Sequence, residues 1–256
     1  ALQLSYLLLD RWASPTQPLD AIQILNKNHL EPRFREHAVR TLHRLSDSEL
    51  AEVLLQLVQS LKHEISHDSP LARFLLVRAL FNQNQIGHYF YWHLKACMQM
   101  PVYRDRFSLV LEVYLRYCSS FRQELWTQTL IYNRLITVAS ELKTIKDPTK
   151  RIPFLHDKMT QMANQGLPNP LGSGPNVPMP STFQLPISCN LMGRQFNVAK
   201  CKNLESKTLP LWLVAESADP LGEPVYGIMK VGDDLRQDQL TLQMFSIMDK
   251  LWLASG

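Results

Sequence analysis

A single glycine, Gly87, falls within residues 1–146, whereas eight of the sixteen prolines fall within residues 147–186 together with Gly166, Gly172 and Gly174. One uniform architecture cannot accommodate both halves. The first has almost none of the residue that turns tight corners, and the second is crowded with the two that end helices. A boundary is therefore expected near residue 146.

The first half carries helical spacing throughout. Ser46-Asp47-Ser48-Glu49 is a capping-box sequence, in which the Ser hydroxyl and the Glu carboxylate each satisfy a free backbone N–H. Leu50, Val53, Leu54, Leu57, Val58 and Leu61 follow as one apolar stripe. Ser69-Pro70 starts another helix, since proline lacks only an N–H that has no partner in the first turn. Further helices are expected over 1–12, 18–26, 32–45, 70–82, 85–98, 102–121 and 124–145. Such a series buries its stripes by stacking helix on helix, as in an α-solenoid or irregular bundle. Beyond Phe183 the pattern turns strand-like at 196–201, 209–214 and 225–231, and a helix follows over 234–253. The chain reads as a helical array, a Pro/Gly-rich linker and a small sheet carrying one helix. A sheet-plus-helix unit of about 70 residues is marginal alone, so it is expected to lean on a neighbour.

With 256 residues, 45% hydrophobic and 20% charged, the chain has ordinary globular composition and can bury a core. No apolar run approaches the roughly 18 residues of a membrane span. The apolar Leu4–Leu9 stops at Asp10 and Arg11, lacks a basic lead-in and a cleavage-like site, and does not read as a signal peptide. With no initiating Met, the sequence reads as a piece of something longer. Cys97, Cys118, Cys189 and Cys201 are far apart, against a zinc ribbon or a disulfide scaffold and in favour of a reducing compartment. The net charge of +4 is dispersed, and no aromatic-basic interleaving suggests nucleic-acid binding.

His63-Glu64-Ile65-Ser66-His67 is a literal H-E-x-x-H, which on a helix sets two imidazoles around zinc with the Glu as base. It sits at a fraying helix end before a new helix start with no third ligand nearby, so a chance match outweighs a zinc hydrolase. His88 and His93, in an aromatic-rich helix, read as packed core with polar tips rather than ligands. Leu171-Gly172-Ser173-Gly174-Pro175 lacks the Lys-Ser/Thr of a phosphate loop, and Pro175 removes an N–H; it reads as linker. No G-x-S-x-G elbow occurs. Gly227-Ile228-Met229-Lys230 reads as a strand with Ile228 and Lys230 on one face, then a turn at Val231-Gly232-Asp233. Ile228 can offer a flat surface to an adenine and Lys230 a cation to its phosphates. A strand-end lysine that is simply solvated fits those residues equally well.

Lys230-Val231-Gly232-Asp233-Asp234-Leu235-Arg236-Gln237-Asp238, with Leu240–Gln243 and Met248–Leu253, closely resembles the phosphoinositide 3-/4-kinase signature. Leu71–Leu80 and Ile86–Lys95 resemble the accessory helical domain of phosphoinositide 3-kinases, and Pro210-Leu211-Trp212-Leu213 resembles the strand after their phosphate loop. Ala218–Glu223 and Met248–Leu253 are most similar to class II, the C2-domain-containing enzymes.

The resemblance implies an accessory helical domain over 1–146, a linker over 147–182 and the small lobe of a kinase-like fold over 183–256. It implies transfer of the ATP γ-phosphoryl group to the 3-hydroxyl of phosphatidylinositol or phosphatidylinositol 4-phosphate. Lys230 matches the lysine on the ATP phosphates, Asp238 the acidic residue of the inner nucleotide pocket, and Trp212 and Ile228 the adenine lining. Ser206 and Lys207 fall in the phosphate-binding loop, whose spacing here departs from the family's, and Gln239 stands where a Met is usual. The cofactors implied are ATP and Mg²⁺, with the metal ligands expected in a large lobe, since neither a D-R-H-x-x-N loop nor a D-F-G occurs in these residues. The chain alone is accordingly expected to be inactive. The resemblance further implies a cytoplasmic protein attached peripherally to intracellular or plasma membranes, a phosphoinositide surface as partner, protein partners on the helical domain, and no nucleic acid. The alternative is a non-catalytic helical scaffold that binds a protein partner.

Overall fold

Helical spacing in the glycine-poor half becomes helix almost where expected. The computed structural model describes residues 20–169, 172 and 174–255, so the helix expected over 1–12 lies outside the described residues. The chain divides into two compact units, one through Arg122 and one from Gln123.

In the first unit the described helices are α1 (Asp20–Ile24), α2 (Pro32–Leu42), α3 (Asp47–Ser60), α4 (Pro70–Phe81), α5 (His88–Cys97) and α6 (Arg104–Tyr117). Their starts are set by local chemistry. The Ser46 hydroxyl accepts from the Glu49 N–H while the Glu49 carboxylate accepts from the Ser46 N–H at 2.8 Å, completing the capping box of α3. Ser69 caps α4 by accepting from the Ala72 N–H at 3.2 Å, with Pro70 in the first turn. Leu50, Leu54, Leu57 and Val58 of α3 are fully buried, as are Leu71 and Leu75 of α4, Phe90 and Leu94 of α5, and Phe107 and Tyr114 of α6. Helix α4 packs on α2 and α6, and α3 packs on α5. Helix α5 also packs on α6 and α1 on α2, so the apolar stripes are buried helix on helix among both consecutive and alternate helices.

A π-helical turn, Gln83–Gly87, joins α4 to α5. His88, immediately after it, is fully buried, its ring 5.4 Å edge-on from Tyr89, in keeping with a packed histidine. Burial, reinforced by the charge of His88, pulls the His93 imidazole from 6.5 down to about 4. Because the folded value lies below the unfolded one, the unfolded chain binds the extra proton between those two values, and stability falls as pH drops through that window. Asp47 acts further down. Hydrogen bonds from Arg78 at 2.5 Å and Asn82 at 2.8 Å hold its carboxyl below the usual range, so its contribution is lost only at still lower pH. The urea midpoint is expected to drop between about pH 7 and pH 4.5 in the natural chain and to drop less in His93→Gln. Equal pH slopes in the two proteins contradict this assignment.

The second unit holds most of α7 (Phe121–Lys143), then α8 (Arg151–Gln165), a five-stranded antiparallel sheet and α9 (Arg236–Ser255). Helix α8 lies inside the stretch read as linker. Its Pro153 occupies the first turn, where proline is tolerated, and Leu155, Met159 and Met162 are buried in the core of this unit. The strands are β1 (Phe183–Leu185), β2 (Ser188–Phe196), β3 (Lys202–Asn203), β4 (Leu211–Ser217) and β5 (Val225–Met229), with β4 pairing β2, β3 and β5. The segment expected as a strand over 196–201 is instead the end of β2 and a 3₁₀ turn, Val198–Lys200, opened by the Asn197 side chain accepting from the Lys200 N–H at 3.2 Å. The core joins Leu142 of α7, Leu155 and Met159 of α8, and Leu211, Val214 and Ala215 of β4.

Candidate functional site

The β4–β5 register builds the site. Trp212 lies opposite Ile228 and Val214 opposite Tyr226, so pleat alternation places Trp212, Tyr226 and Ile228 on one face, with Leu211, Leu213 and Ala215 on the other. Leu211, Leu213 and Ala215 enter the core. Opposite them, Ile228 is 56% exposed and Tyr226 52%, with the half-buried Trp212 ring 5.8 Å from that of Tyr226. Val214 shares their face and is buried in the core, so this apolar platform is open at Tyr226 and Ile228 and covered at Val214.

Lys230 stands one residue past β5, not within the strand as expected, because antiparallel pairing with β4 ends at Leu211↔Met229. Its side chain is 34% exposed, and its ammonium lies 3.6 Å from the Asp233 carboxylate. Between them the chain reverses at Gly232 with φ +78°, a conformation suited to glycine. The Asp233 carboxylate also accepts from the Asp234 N–H at 3.0 Å, and the Lys143 ammonium donates to the Val231 carbonyl. Helix α9 begins at Arg236, two residues later than the sequence suggests, with the exposed Asp238 in its first turn.

Ser206 and Lys207 are exposed in the loop joining β3 to β4. That loop is closed by Leu204 N–H to Pro210 C=O at 2.8 Å and Leu209 N–H to Ser206 C=O at 3.1 Å, and the Ser206 and Thr208 hydroxyls are 3.5 Å apart. The register therefore brings Trp212 and Ile228 together, with Lys230 two residues along the same segment. Among the described residues, no hydrogen bond or ion pair joins Ser206, Lys207 or Asp238 to Lys230. Sequence reasoning missed Tyr226, although alternation from Ile228 points to it. It also missed Asp233 as the partner of Lys230, although their spacing is only three residues.

The H-E-x-x-H segment forms no metal site. His63 ends a 3₁₀ turn, Leu61–His63, and Glu64 is extended, so the two imidazoles do not share a helix face. Glu64 is instead buried against Arg35, which donates to its carboxylate from Nε at 2.9 Å and Nη2 at 2.5 Å. Among the described residues no group of three or more His, Cys, Asp or Glu is placed to hold a metal ion, and no helix is long and apolar enough to cross a membrane.

Residues 2–127 match the Phosphoinositide 3-kinase family, accessory domain (PIK domain), and residues 224–256 match Phosphatidylinositol 3- and 4-kinase. The chain is 38% identical over 252 residues to Phosphatidylinositol 3-kinase 2 of Dictyostelium discoideum, covering 98% of this chain and 13% of that protein. It is 39% identical over 249 residues to Phosphatidylinositol 3-kinase 1 of the same organism, covering 97% of this chain and 15% of that protein. It is 34% identical over 253 residues to Phosphatidylinositol 4-phosphate 3-kinase C2 domain-containing subunit alpha of Pongo abelii, covering 98% of this chain and 14% of that protein. The chain thus spans about one seventh of the length of these relatives. An accessory helical match in the first unit, a kinase match beginning beside β5, and relatives of one kind along nearly the whole length agree with the resemblance read from the motifs: the chain belongs to the phosphoinositide 3-kinase family.

Proposed function

We propose that this chain is part of a lipid kinase that transfers the ATP γ-phosphoryl group to the 3-hydroxyl of phosphatidylinositol or phosphatidylinositol 4-phosphate. The observation that carries the reading is the half-buried side chain of Lys230, two residues past Ile228 in the segment that forms the platform with Trp212 and Tyr226. An adenine stacks on apolar side chains of that kind, and a cation beside it meets the phosphates. Trp212 and Ile228 line the base, Lys230 neutralises phosphate charge, Asp238 lies in the inner pocket, and Ser206 and Lys207 border the phosphates. The Lys230–Asp233 ion pair is open enough to water to be exchanged for a phosphate at small cost. Mg²⁺, when bound, would share the neutralisation of phosphate charge with Lys230. Its ligands are expected in a large lobe, and the protein is read as acting peripherally on a cytoplasmic membrane surface. Helix α9 also exposes Leu242, Phe245, Leu251 and Trp252, the kind of surface a lobe buries against the rest of a cleft.

The test is ATP binding and lipid phosphorylation by the full-length enzyme. Lys230→Met is expected to lower turnover by about two to three orders of magnitude, the range for removing a charge-stabilising group. The 256-residue chain alone is expected to show no turnover, its sequence holding no D-R-H-x-x-N loop. Turnover by that chain which disappears in Lys230→Met shows the expected inactivity wrong, whereas a full-length enzyme indifferent to Lys230→Met overturns the proposal. Phe81, Val102 and Tyr117, exposed on the first unit, favour a second role as a surface for a protein partner. Tight partner binding by the chain alone, undisturbed by Lys230→Met, separates that role from catalysis.

A further inference from the structure

We propose that Lys143, the last residue of α7, is a positioning residue for Lys230: it holds the Val231–Asp233 turn in the conformation that sets the Lys230 ammonium beside the platform. The inference rests on the reading of Lys230 given above. Lys143 lies 88 residues from Val231, so the bond from its ammonium to the Val231 carbonyl is purely tertiary.

Both ends of that bond are anchored. Leu142, the residue before it, is fully buried in the core that Met229 and Val231 also pack against. The stem of Lys143 therefore starts from a fixed point, and only its exposed methylenes and head are free to move. A cation in the last turn of a helix is also favoured by the helix dipole. At the other end, the turn has a defined geometry: Gly232 takes φ +78°, and a Cβ placed there would lie 3.7 Å from the Lys143 ammonium. Lys143 therefore covers the turn on the side where the backbone reverses.

The consequence concerns order. Lys230 follows the last paired residue of β5, so no ladder hydrogen bond fixes it. What restrains it is the turn behind it, held by Lys143 on the Val231 carbonyl and by Asp233 within the turn. A loosened turn leaves Lys230 to be ordered by the nucleotide itself, which raises the free energy of ATP binding and leaves the lipid step alone.

The experiment is steady-state kinetics on the full-length enzyme with ATP and phosphoinositide vesicles. Lys143→Met keeps the apolar stem and removes the donor; Lys143→Arg keeps a cationic donor. Lys143→Met is expected to raise the KM for ATP roughly tenfold, the loss of one charge-assisted hydrogen bond. The KM for lipid should stay where it was, kcat should change by less than about twofold, and Lys143→Arg should recover most of the ATP affinity. In a Lys230→Met background, measured by binding of a fluorescent ATP analogue, Lys143→Met should have no further effect. A KM for ATP unchanged in Lys143→Met overturns the proposal, as does a loss spread equally over both substrates or an additive loss in the double variant. Should Lys143→Met not fold, Lys143→Gln takes its place, with the same outcomes deciding. If Lys230→Met itself leaves ATP binding untouched, the reading of Lys230 has failed; if Lys230→Met abolishes binding while Lys143→Met is silent, only this inference has.

Discussion

Arg35→Met is expected to destabilise the helical unit by about 3–5 kcal/mol, the cost of leaving one charge of a buried pair without its partner. Arg35 of α2 is 2% exposed and Glu64 7%. The guanidinium donates twice to the Glu64 carboxylate and also to the carbonyls of His29 at 2.9 Å and Asn26 at 3.2 Å. One side chain thus fastens the loop after α1 and the extended residue after α3 to α2. Glu64→Leu should cost a similar amount, since it strands the guanidinium. The double replacement Arg35→Met/Glu64→Leu should recover most of the loss, as buried pairs are often no better than apolar residues of the same volume. Urea titration of the four proteins gives the coupling energy directly. A coupling near zero would show that the pair contributes nothing specific. The same experiment bears on the H-E-x-x-H motif, because a glutamate fixed by a buried arginine is not available as a catalytic base.

Gly87→Ala is the second large effect. A Cβ on Gly87 would lie 2.2 Å from the Tyr114 hydroxyl oxygen and 2.8 Å from the Ala79 carbonyl oxygen, the latter a backbone atom of α4. Tyr114 is itself fully buried, its ring 5.6 Å edge-on from Phe90, so it has little room to withdraw. Overpacking of this kind costs about 1–3 kcal/mol. Among the described residues the Tyr114 hydroxyl has no hydrogen-bond partner, and burial pushes its phenol well above the usual value, so it stays neutral. An unpaired buried hydroxyl is itself unfavourable by about 1–3 kcal/mol. Tyr114→Phe is therefore expected to be neutral or stabilising, and to relieve part of the Gly87→Ala defect by removing one of the two clashing atoms. Thermal unfolding of the single and double variants checks this. Full retention of stability in Gly87→Ala would show that the π-helical turn adjusts freely.

The single glycine of the first half is thus a packing requirement, and its rarity was visible in the residues. The helix starts at Ser46 and Ser69 were equally legible, because capping chemistry acts over three or four residues and needs no distant partner. So was the kinase motif that runs through Ile228 and Lys230, which falls in the matched residues 224–256. Helix α8 was hidden by its setting. Prolines and glycines on either side made the stretch read as linker, while Pro153 sits where a helix tolerates it and Leu155, Met159 and Met162 supply its buried face. Strand β2 was hidden by its composition: Ser-Cys-Asn-Leu-Met-Gly-Arg-Gln-Phe has no β-branched residue, and pairing with β1 and β4 holds it in the sheet.

Local chemistry and pattern alone determined the helical first half, the sheet-bearing second half and the family, since each is written in short runs of residues whose meaning does not depend on what lies far along the chain. Tertiary structure alone decided that Glu64 is an ion-pair partner of Arg35, that Lys230 sits beyond the strand in a turn closed by Asp233, and that Lys143 reaches that turn. Each of these is a charge whose role is set by the group it meets. Two of the three partners lie 29 and 88 residues away, beyond any periodicity a helix or strand imposes.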